Sequence, residues 1–250
     1  MSALLTLNDV TQRFGGVLAL DRVNFSVDAG EVVGVIGPNG AGKTTLVNAI
    51  TGVHRPIAGT VRYGDRYLQG LGPDRIARLG IARTFQIVQP FPRMSVEENV
   101  TAAALFAGGA STPAQAREAA HAHLEFCGLA SQAGKPAASL TLAGRKRLEL
   151  AKSLALKPRL LFLDEVNAGL NQAEVDHALE LIHAIAASGV TIVLIEHLMK
   201  VVMHSCTRVM VLHHGRLIAD GEPAQVVNDP QVEQAYLGRR YARQRQEALA

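Results

Sequence analysis

The chain has little cysteine, no long apolar run and little net charge, and each scarcity removes a class of protein. Its 250 residues include two cysteines, Cys127 and Cys206, far apart and without metal-ligand spacing. That excludes a disulfide framework and a thiolate metal site, and it fits buried thiols in a reducing compartment. No uninterrupted apolar stretch approaches the ~20 residues that a membrane span needs. The opening MSALLTLNDV lacks the basic start and long apolar centre of a secretory signal, so the protein is expected to be made and kept in the cytoplasm. A net charge of +3 is too mild to imply nucleic acid as a partner. What the chain does have is apolar material. Hydrophobic residues make up 48% against 19% charged, enough core for one large α/β domain, with or without an inserted subdomain.

The rest is organised around Val32 to Leu46, VVGVIGPNGAGKTTL. Val32 to Ile36 reads as a buried strand, and the run from Thr45 onward as a helix. Between them Gly37, Pro38, Asn39, Gly40, Ala41, Gly42, Lys43 and Thr44 fit G-x-x-x-x-G-K-[ST]. The glycines let the backbone curl so that successive N–H groups point inward at phosphate oxygens. The helix starts at the same place, so its unpaired N–H groups and positive dipole end face the anion too. Lys43 can reach β- and γ-phosphates, and the Thr44 hydroxyl can ligate Mg²⁺.

Strands are expected at Leu4 to Val10 and Val23 to Val27, separated by a turn at Gln12 to Gly16 that carries Phe14. Phe14 can stack on a purine or pack under a hairpin, and its position leaves both open. Gly59 to Asp65 suggests a small antiparallel sheet with turns at Gly59 and Gly64-Asp65. Pro73 to Leu79 suits a short helix, and Ile81 to Phe85 a strand ending at Gln86. From Pro90 the character becomes helical. Ser95 and Glu98 read as a capping box opening a helix that continues through Thr101 to Ala107, and a second helix is expected at Ala114 to Cys127. This stretch interrupts the strand–helix alternation to about Leu156 and reads as an inserted helical subdomain, 90–156, in a core made of 1–89 and 157–221 with a C-terminal helical tail at 222–250.

Arg159 to Glu165, RLLFLDE, is a second buried strand closed by two carboxylates, the Walker B pattern. Asp164 can hold Mg²⁺, and Glu165 can orient and deprotonate a water. Glu174 to Ala187 is an amphipathic helix, and Val190 to Ile195 an apolar strand running into Glu196-His197. Arg208 to Leu212 and Leu217 to Ala219 suit a hairpin around His214-Gly215. The basic run Arg239, Arg240, Arg243 and Arg245 reads as a solvated helix end or a contact with an anionic membrane surface.

Taken in order, these residues resemble an ABC transporter ATP-binding subunit over nearly the whole chain: Phe14 (A-loop), Walker A at Gly37 to Thr44 with Thr45 behind it, Q-loop Gln86, a signature region, Walker B at Leu160 to Asp164, Glu165, a D-loop and His197 (H-loop). The resemblance implies a P-loop, RecA-like α/β cassette with an antiparallel β-subdomain and a helical subdomain. It assigns catalysis to Glu165, His197 and Gln86, and metal binding to Thr44, Gln86 and Asp164. Nucleotide contacts fall to Phe14, Walker A, Thr45 and the signature residues Thr141, Ala143 and Gly144.

Two regions depart from the family pattern. The signature reads Leu140-Thr141-Leu142-Ala143-Gly144 instead of LSGGQ, with Ala143 for a glycine and Gly144 for the glutamine. The D-loop carries Asn171 where aspartate is usual, and Val166 follows Glu165 where proline is common. Both departures lie where the subunit meets its partner's nucleotide, so a heterodimer with two unequal ATP sites is expected, with a homodimer as the alternative.

The segments Ala82 to Gln86, Arg147 to Glu149, Ala168 to Asn171 and Asn228 to Gly238 are similar to the LivG type, ATP-binding subunits of branched-chain amino acid importers. That resemblance implies two membrane permease subunits, a second ATP-binding subunit and, indirectly, a periplasmic solute-binding protein, with the chain peripheral on the cytoplasmic face of the inner membrane. The permease contact is expected at Gln86 to Glu98, through Phe91, Pro92, Arg93 and Met94. A soluble, non-transport ABC ATPase is the alternative. Such proteins usually carry two cassettes or a long coiled-coil insertion. A P-loop kinase would need a second-substrate lid, and a GTPase an N-K-x-D signature, which this sequence lacks.

Overall fold

The computed structural model describes residues 3–85 and 90–236. The chain divides into two compact units: Met1–Leu71 with Val193–Ala250, and Gly72–Ile192.

The first unit opens with β1 (Leu5–Phe14), β2 (Val17–Val27), β3 (Val32–Ile36), α1 (Lys43–Ile50), β4 (Ala58–Tyr63) and β5 (Arg66–Tyr67). The second runs through α2 (Pro73–Arg78), β6 (Ile81–Arg83), α3 (Val96–Phe106), α4 (Pro113–Phe126), α5 (Leu142–Ala155), β7 (Leu160–Asp164), α6 (Gln172–Ala187) and the start of β8 (Thr191–Ile195). The chain then returns to the first unit with α7 (Met199–Ser205), β9 (Arg208–His213), β10 (Arg216–Gly221) and α8 (Pro223–Val227).

In the first unit β2, β1, β4 and β5 lie side by side as an antiparallel sheet. Leu5 pairs with Val27 on one side and with Tyr63 on the other. Leu5, Leu7 and Val10 turn inward while Asn8 and Asp9 are exposed, the alternation of a sheet wet on one face. Two expectations need correction here. Phe14 is not in a turn but ends β1, and the reversal is the tight Gly15-Gly16 pair, where Gly15 has φ 55. Gly59 is not a turn residue either. It lies inside β4 at φ 82, against a bulge in β1 where Asp9 has φ 49, and a Cβ there would collide with the backbone of Asn8 and Asp9.

The second sheet of this unit sets β3 parallel to β9, with Val33 opposite Arg208, and β10 antiparallel to β9. β3 is buried at all five positions, as a strand covered on both faces must be. Arg208 of β9 makes two 2.6 Å hydrogen bonds to the Asp220 carboxylate of β10 and one of 3.4 Å to Glu31.

In the second unit β6 runs parallel to β7, pairing Arg83 with Phe162. β7 is also buried throughout. Helix starts follow side-chain chemistry. The Ser95 hydroxyl accepts from Glu98 N–H at 3.0 Å while the Glu98 carboxylate accepts from Ser95 N–H at 2.7 Å, the expected capping box. α4 has Thr112 as its cap and Pro113 behind it. Leu124, Leu129, Leu148 and Cys127 are fully buried around α4 and α5. Burial pushes the Cys127 thiol up to about 12 against the opposing pull of Arg147, and pushes Cys206 up to about 12 as well. Among the described residues, no helix is long and apolar enough to cross a membrane.

Removing the Ser95 hydroxyl leaves the Glu98 N–H without its partner. Ser95→Ala is expected to cost about 1 kcal/mol of stability, and Ser95→Asp well under half of that. Urea unfolding of the two variants checks this; equal losses would show that the box contributes nothing.

Candidate nucleotide site

The first unit holds a phosphate loop of defined shape. The chain leaves β3 at Ile36, curls through residues 37–42 and enters α1 at Lys43. Ala41 N–H closes the curl on the Pro38 carbonyl at 3.1 Å, and Leu46 N–H donates to the Gly42 carbonyl at 2.8 Å. Gly37 and Gly42 have φ 150 and 108. A Cβ on Gly37 would collide with the Leu212 carbonyl of β9, and one on Gly42 would stand 2.6 Å from the Ala19 carbonyl of β2. Gly215, in the β9–β10 turn, donates its N–H to the Ala41 carbonyl at 2.9 Å. The loop is therefore held from both sides by backbone.

Lys43 is only 8% exposed. Its ammonium donates to the Gly37 carbonyl at 2.6 Å and the Pro38 carbonyl at 3.2 Å, so the charge sits over the curl it would share with a phosphate. Thr44 is exposed and Thr45 half-buried on the first turn of α1. Phe14 is 44% exposed and meets the His54 ring edge-on at 5.1 Å. His197 is exposed just beyond β8, after the fully buried Glu196.

The second unit holds the carboxylates. Asp164 ends β7 and is 2% exposed. Its N–H donates to the Thr84 hydroxyl at 3.0 Å, and its Oδ2 accepts from Arg83 Nη2 at 3.2 Å. Glu165 follows at φ 48, a left-handed conformation that costs a residue with a side chain about 1–2 kcal/mol. Its carbonyl accepts from the Lys146 ammonium at 2.9 Å, a charged hydrogen bond worth about 1.5–3 kcal/mol, enough to offset the strain.

The signature region is the start of α5. Thr141 is its cap and accepts from Gly144 N–H at 3.2 Å. Gly144 is buried, and a Cβ on it would press on Leu140 at 3.3 Å, so the position that carries glutamine in the family pattern is here packed under the cap. Ala143 is half-buried. Asn171 is likewise a cap: it starts α6 in a capping box with Glu174, its Oδ1 accepting at 3.0 Å. Asparagine caps a helix as well as aspartate does, which gives this D-loop departure a local reason.

Gln86 and the arginines of the tail lie outside the described residues. Arg83, Thr84 and Lys146 contact the predicted site residues and were not foreseen. A basic residue early in α5 was the available signal for Lys146; Arg83 gave none, since its partner is 81 positions away.

Mg²⁺ prefers oxygen ligands and is usually held by one or two carboxylates plus substrate phosphates. A buried strand-end carboxylate and a hydroxyl at a helix start are donors of that kind. Among the described residues no group of three or more His, Cys, Asp or Glu offers a separate metal cage. The residues present fit the ion.

A glycine-curled loop opening a helix, with its lysine folded over it, and a buried strand closed by Asp-Glu define a P-loop ATPase of the cassette type. Residues 20–168 match the ABC transporter family, and residues 216–242 match the branched-chain amino acid ATP-binding cassette transporter family. The chain is 41% identical to the high-affinity branched-chain amino acid transport ATP-binding protein LivG of Escherichia coli strain K12, over 94% of its own length and 98% of that protein's. Identity is again 41%, over the same shares, to the BraF protein of that description from Pseudomonas aeruginosa. Among solved structures it is similar to the ADP conformation of MJ1267, an ATP-binding cassette of an ABC transporter, with TM-score 0.85 and 30% identity over 95% of this chain and 100% of that one. The chain belongs to the ABC transporter family, whose cassettes work with membrane permease components.

The loop's confinement makes its glycines unequal. Gly42→Ala is expected to lower the melting temperature and abolish binding of a fluorescent ATP analogue. Gly40→Ala, with nothing within 4 Å of an added Cβ, should cost only about 1 kcal/mol of backbone strain. Melting curves and nucleotide titrations of both variants check the contrast; equal effects would contradict it.

Proposed function

We propose that this chain is the ATP-binding and hydrolysing subunit of an importer for branched-chain amino acids or a related small solute. The observation that carries this reading is similarity along the whole chain to transport ATP-binding proteins, including the separate match at residues 216–242. In this reading the stretch 90–156 is the helical subdomain, 1–89 with 157–221 the core, and 222–250 the tail. The subunit sits on the cytoplasmic face of the inner membrane, with two permease subunits, a second and different ATP-binding subunit, and a periplasmic solute-binding protein reached through the permease.

The roles follow from chemistry. Phe14 stacks on the adenine. The N–H groups of residues 37–44, the Thr45 turn of the helix and the Lys43 ammonium hold the β- and γ-phosphates. Thr44, Asp164 and Gln86 hold Mg²⁺, which neutralises phosphate charge when bound. Glu165 orients and deprotonates the attacking water, and Lys146 fixes the backbone that aims it. His197 and Gln86 contact the γ-phosphate and the water. Thr141, Ala143 and Gly144 present the start of α5 to the nucleotide on the second subunit, where Thr141 keeps the capping hydroxyl and Ala143 adds a methyl group.

Phe91 suits the permease contact. Its ring is 56% exposed. Its backbone is pinned by the buried Asn99, which accepts Phe91 N–H at 2.8 Å and donates to the Phe91 carbonyl at 3.1 Å. An apolar side chain on a fixed backbone is an anchor with little ordering cost.

Glu165→Gln should keep ATP affinity while lowering turnover of the assembled complex by about 10²–10⁴-fold, the range for a lost general base. Undiminished hydrolysis would remove Glu165 from that role. Tagged purification from solubilised membranes should recover two polytopic chains and one different cassette. Recovery of the chain alone would favour a soluble ATPase.

A further inference from the structure

The end of β6 carries a cation that none of these roles uses. The Arg83 side chain is 10% exposed and donates from Nη2 to Asp164 Oδ2 at 3.2 Å. Its guanidinium carbon lies 4.7 Å from the centre of the Phe85 ring. The backbone beneath it is fixed from two sides. The Arg83 carbonyl accepts from the Ser153 hydroxyl of α5 at 3.2 Å. The next residue, Thr84, donates its N–H to the Phe162 carbonyl at 2.9 Å and accepts Asp164 N–H on its hydroxyl at 3.0 Å. Arg83 therefore reaches Asp164 from a strand end bonded to the aspartate's own strand. Burial lowers the guanidinium's pKa from its ordinary value against the pull of Asp164. Arginine nonetheless stays protonated in proteins, so the charge is permanent.

A carboxylate whose oxygen already accepts from a guanidinium offers less negative potential to a second cation. We propose that Arg83 is a positioning residue for the metal site, a fixed counter-charge on Asp164 that weakens the carboxylate's hold on the divalent ion and so sets the metal affinity. The inference rests on the reading of Asp164 as a metal ligand. A cassette that must release its product benefits from a metal held loosely enough to leave, and the Arg83 pair supplies that weakening through one hydrogen bond. The magnitude follows from how such pairs treat a proton. An arginine beside an aspartate disfavours proton binding by about 10- to 1,000-fold. A hydrated divalent ion, which keeps part of its water shell, should feel the lower end of that range.

The test is Mn²⁺ binding to the full chain with ADP at half the protein concentration, read by the electron paramagnetic resonance signal of free Mn²⁺. Arg83→Met should tighten Mn²⁺ about tenfold, Arg83→Lys should stay within about threefold of the parent, and Asp164→Asn should weaken binding at least tenfold. Adding Arg83→Met to Asp164→Asn should bring no gain. Arg83→Gln, which keeps a donor without the charge, should tighten binding as Met does and serves if the Met variant does not fold. Unchanged or weaker Mn²⁺ binding in a folded Arg83→Met or Arg83→Gln protein, with Asp164→Asn still impaired, overturns this inference alone. Parental binding in Asp164→Asn overturns the metal-ligand reading and this inference with it.

Discussion

The nucleotide site depends on the confinement of six residues, 37–42, between backbone carbonyls. An anion-binding loop works only if its N–H groups are already aimed when the phosphate arrives, because ordering them on binding would consume the affinity they provide. Here the ordering is done by folding. Leu212 of β9 stands over Gly37, Ala19 of β2 stands over Gly42, and the N–H of Gly215 holds the Ala41 carbonyl. Two sheets and one hairpin turn thus converge on one curl of chain. The two glycines are required by space as much as by dihedral angle, and Lys43 completes the arrangement by folding its charge back over the loop.

The second unit solves a similar problem for carboxylates. A buried aspartate at a strand end needs its position set and its charge answered, and Thr84 and Arg83 do these separately. Glu165 needs its backbone in an uncommon conformation, and Lys146 of α5 holds its carbonyl. Through Lys146 and Ser153, the helix that begins at the signature is tied to both the Asp-Glu pair and the end of β6. Displacing α5 would strain both attachments at once, which gives the signature helix a mechanical link to the backbone of Glu165 and to the end of β6 within a single unit.

Much of this was legible in the sequence because its signals are local. Continuous apolar runs gave β3, β7 and β8. The loop's spacing gave its helix, and Ser95 with Glu98 gave the start of α3. What escaped depends on distant contacts. The strand lengths of β1 and β2 come from pairing with each other and with β4, so the polar residues around Gln12 looked like a turn when read alone. Gly59 read as a turn because a left-handed glycine set against a neighbouring strand's bulge looks, in sequence, no different from one in a turn. Arg83 and Lys146 act on partners 81 and 19 residues away, beyond any local pattern. Asn171 and Gly144 looked like departures from a family pattern, and their reasons, a helix cap and a packed cap, became visible only with the helices in place.

A preformed loop with Lys43 over it should bind the phosphates of ATP. Equilibrium binding of ATP to the purified chain, measured by isothermal titration calorimetry for the parent and for Lys43→Ala alongside their melting curves, tests it most directly. One saturable site is expected in the parent and loss of binding in the variant, with the fold retained. Parental affinity in a folded Lys43→Ala protein would contradict that.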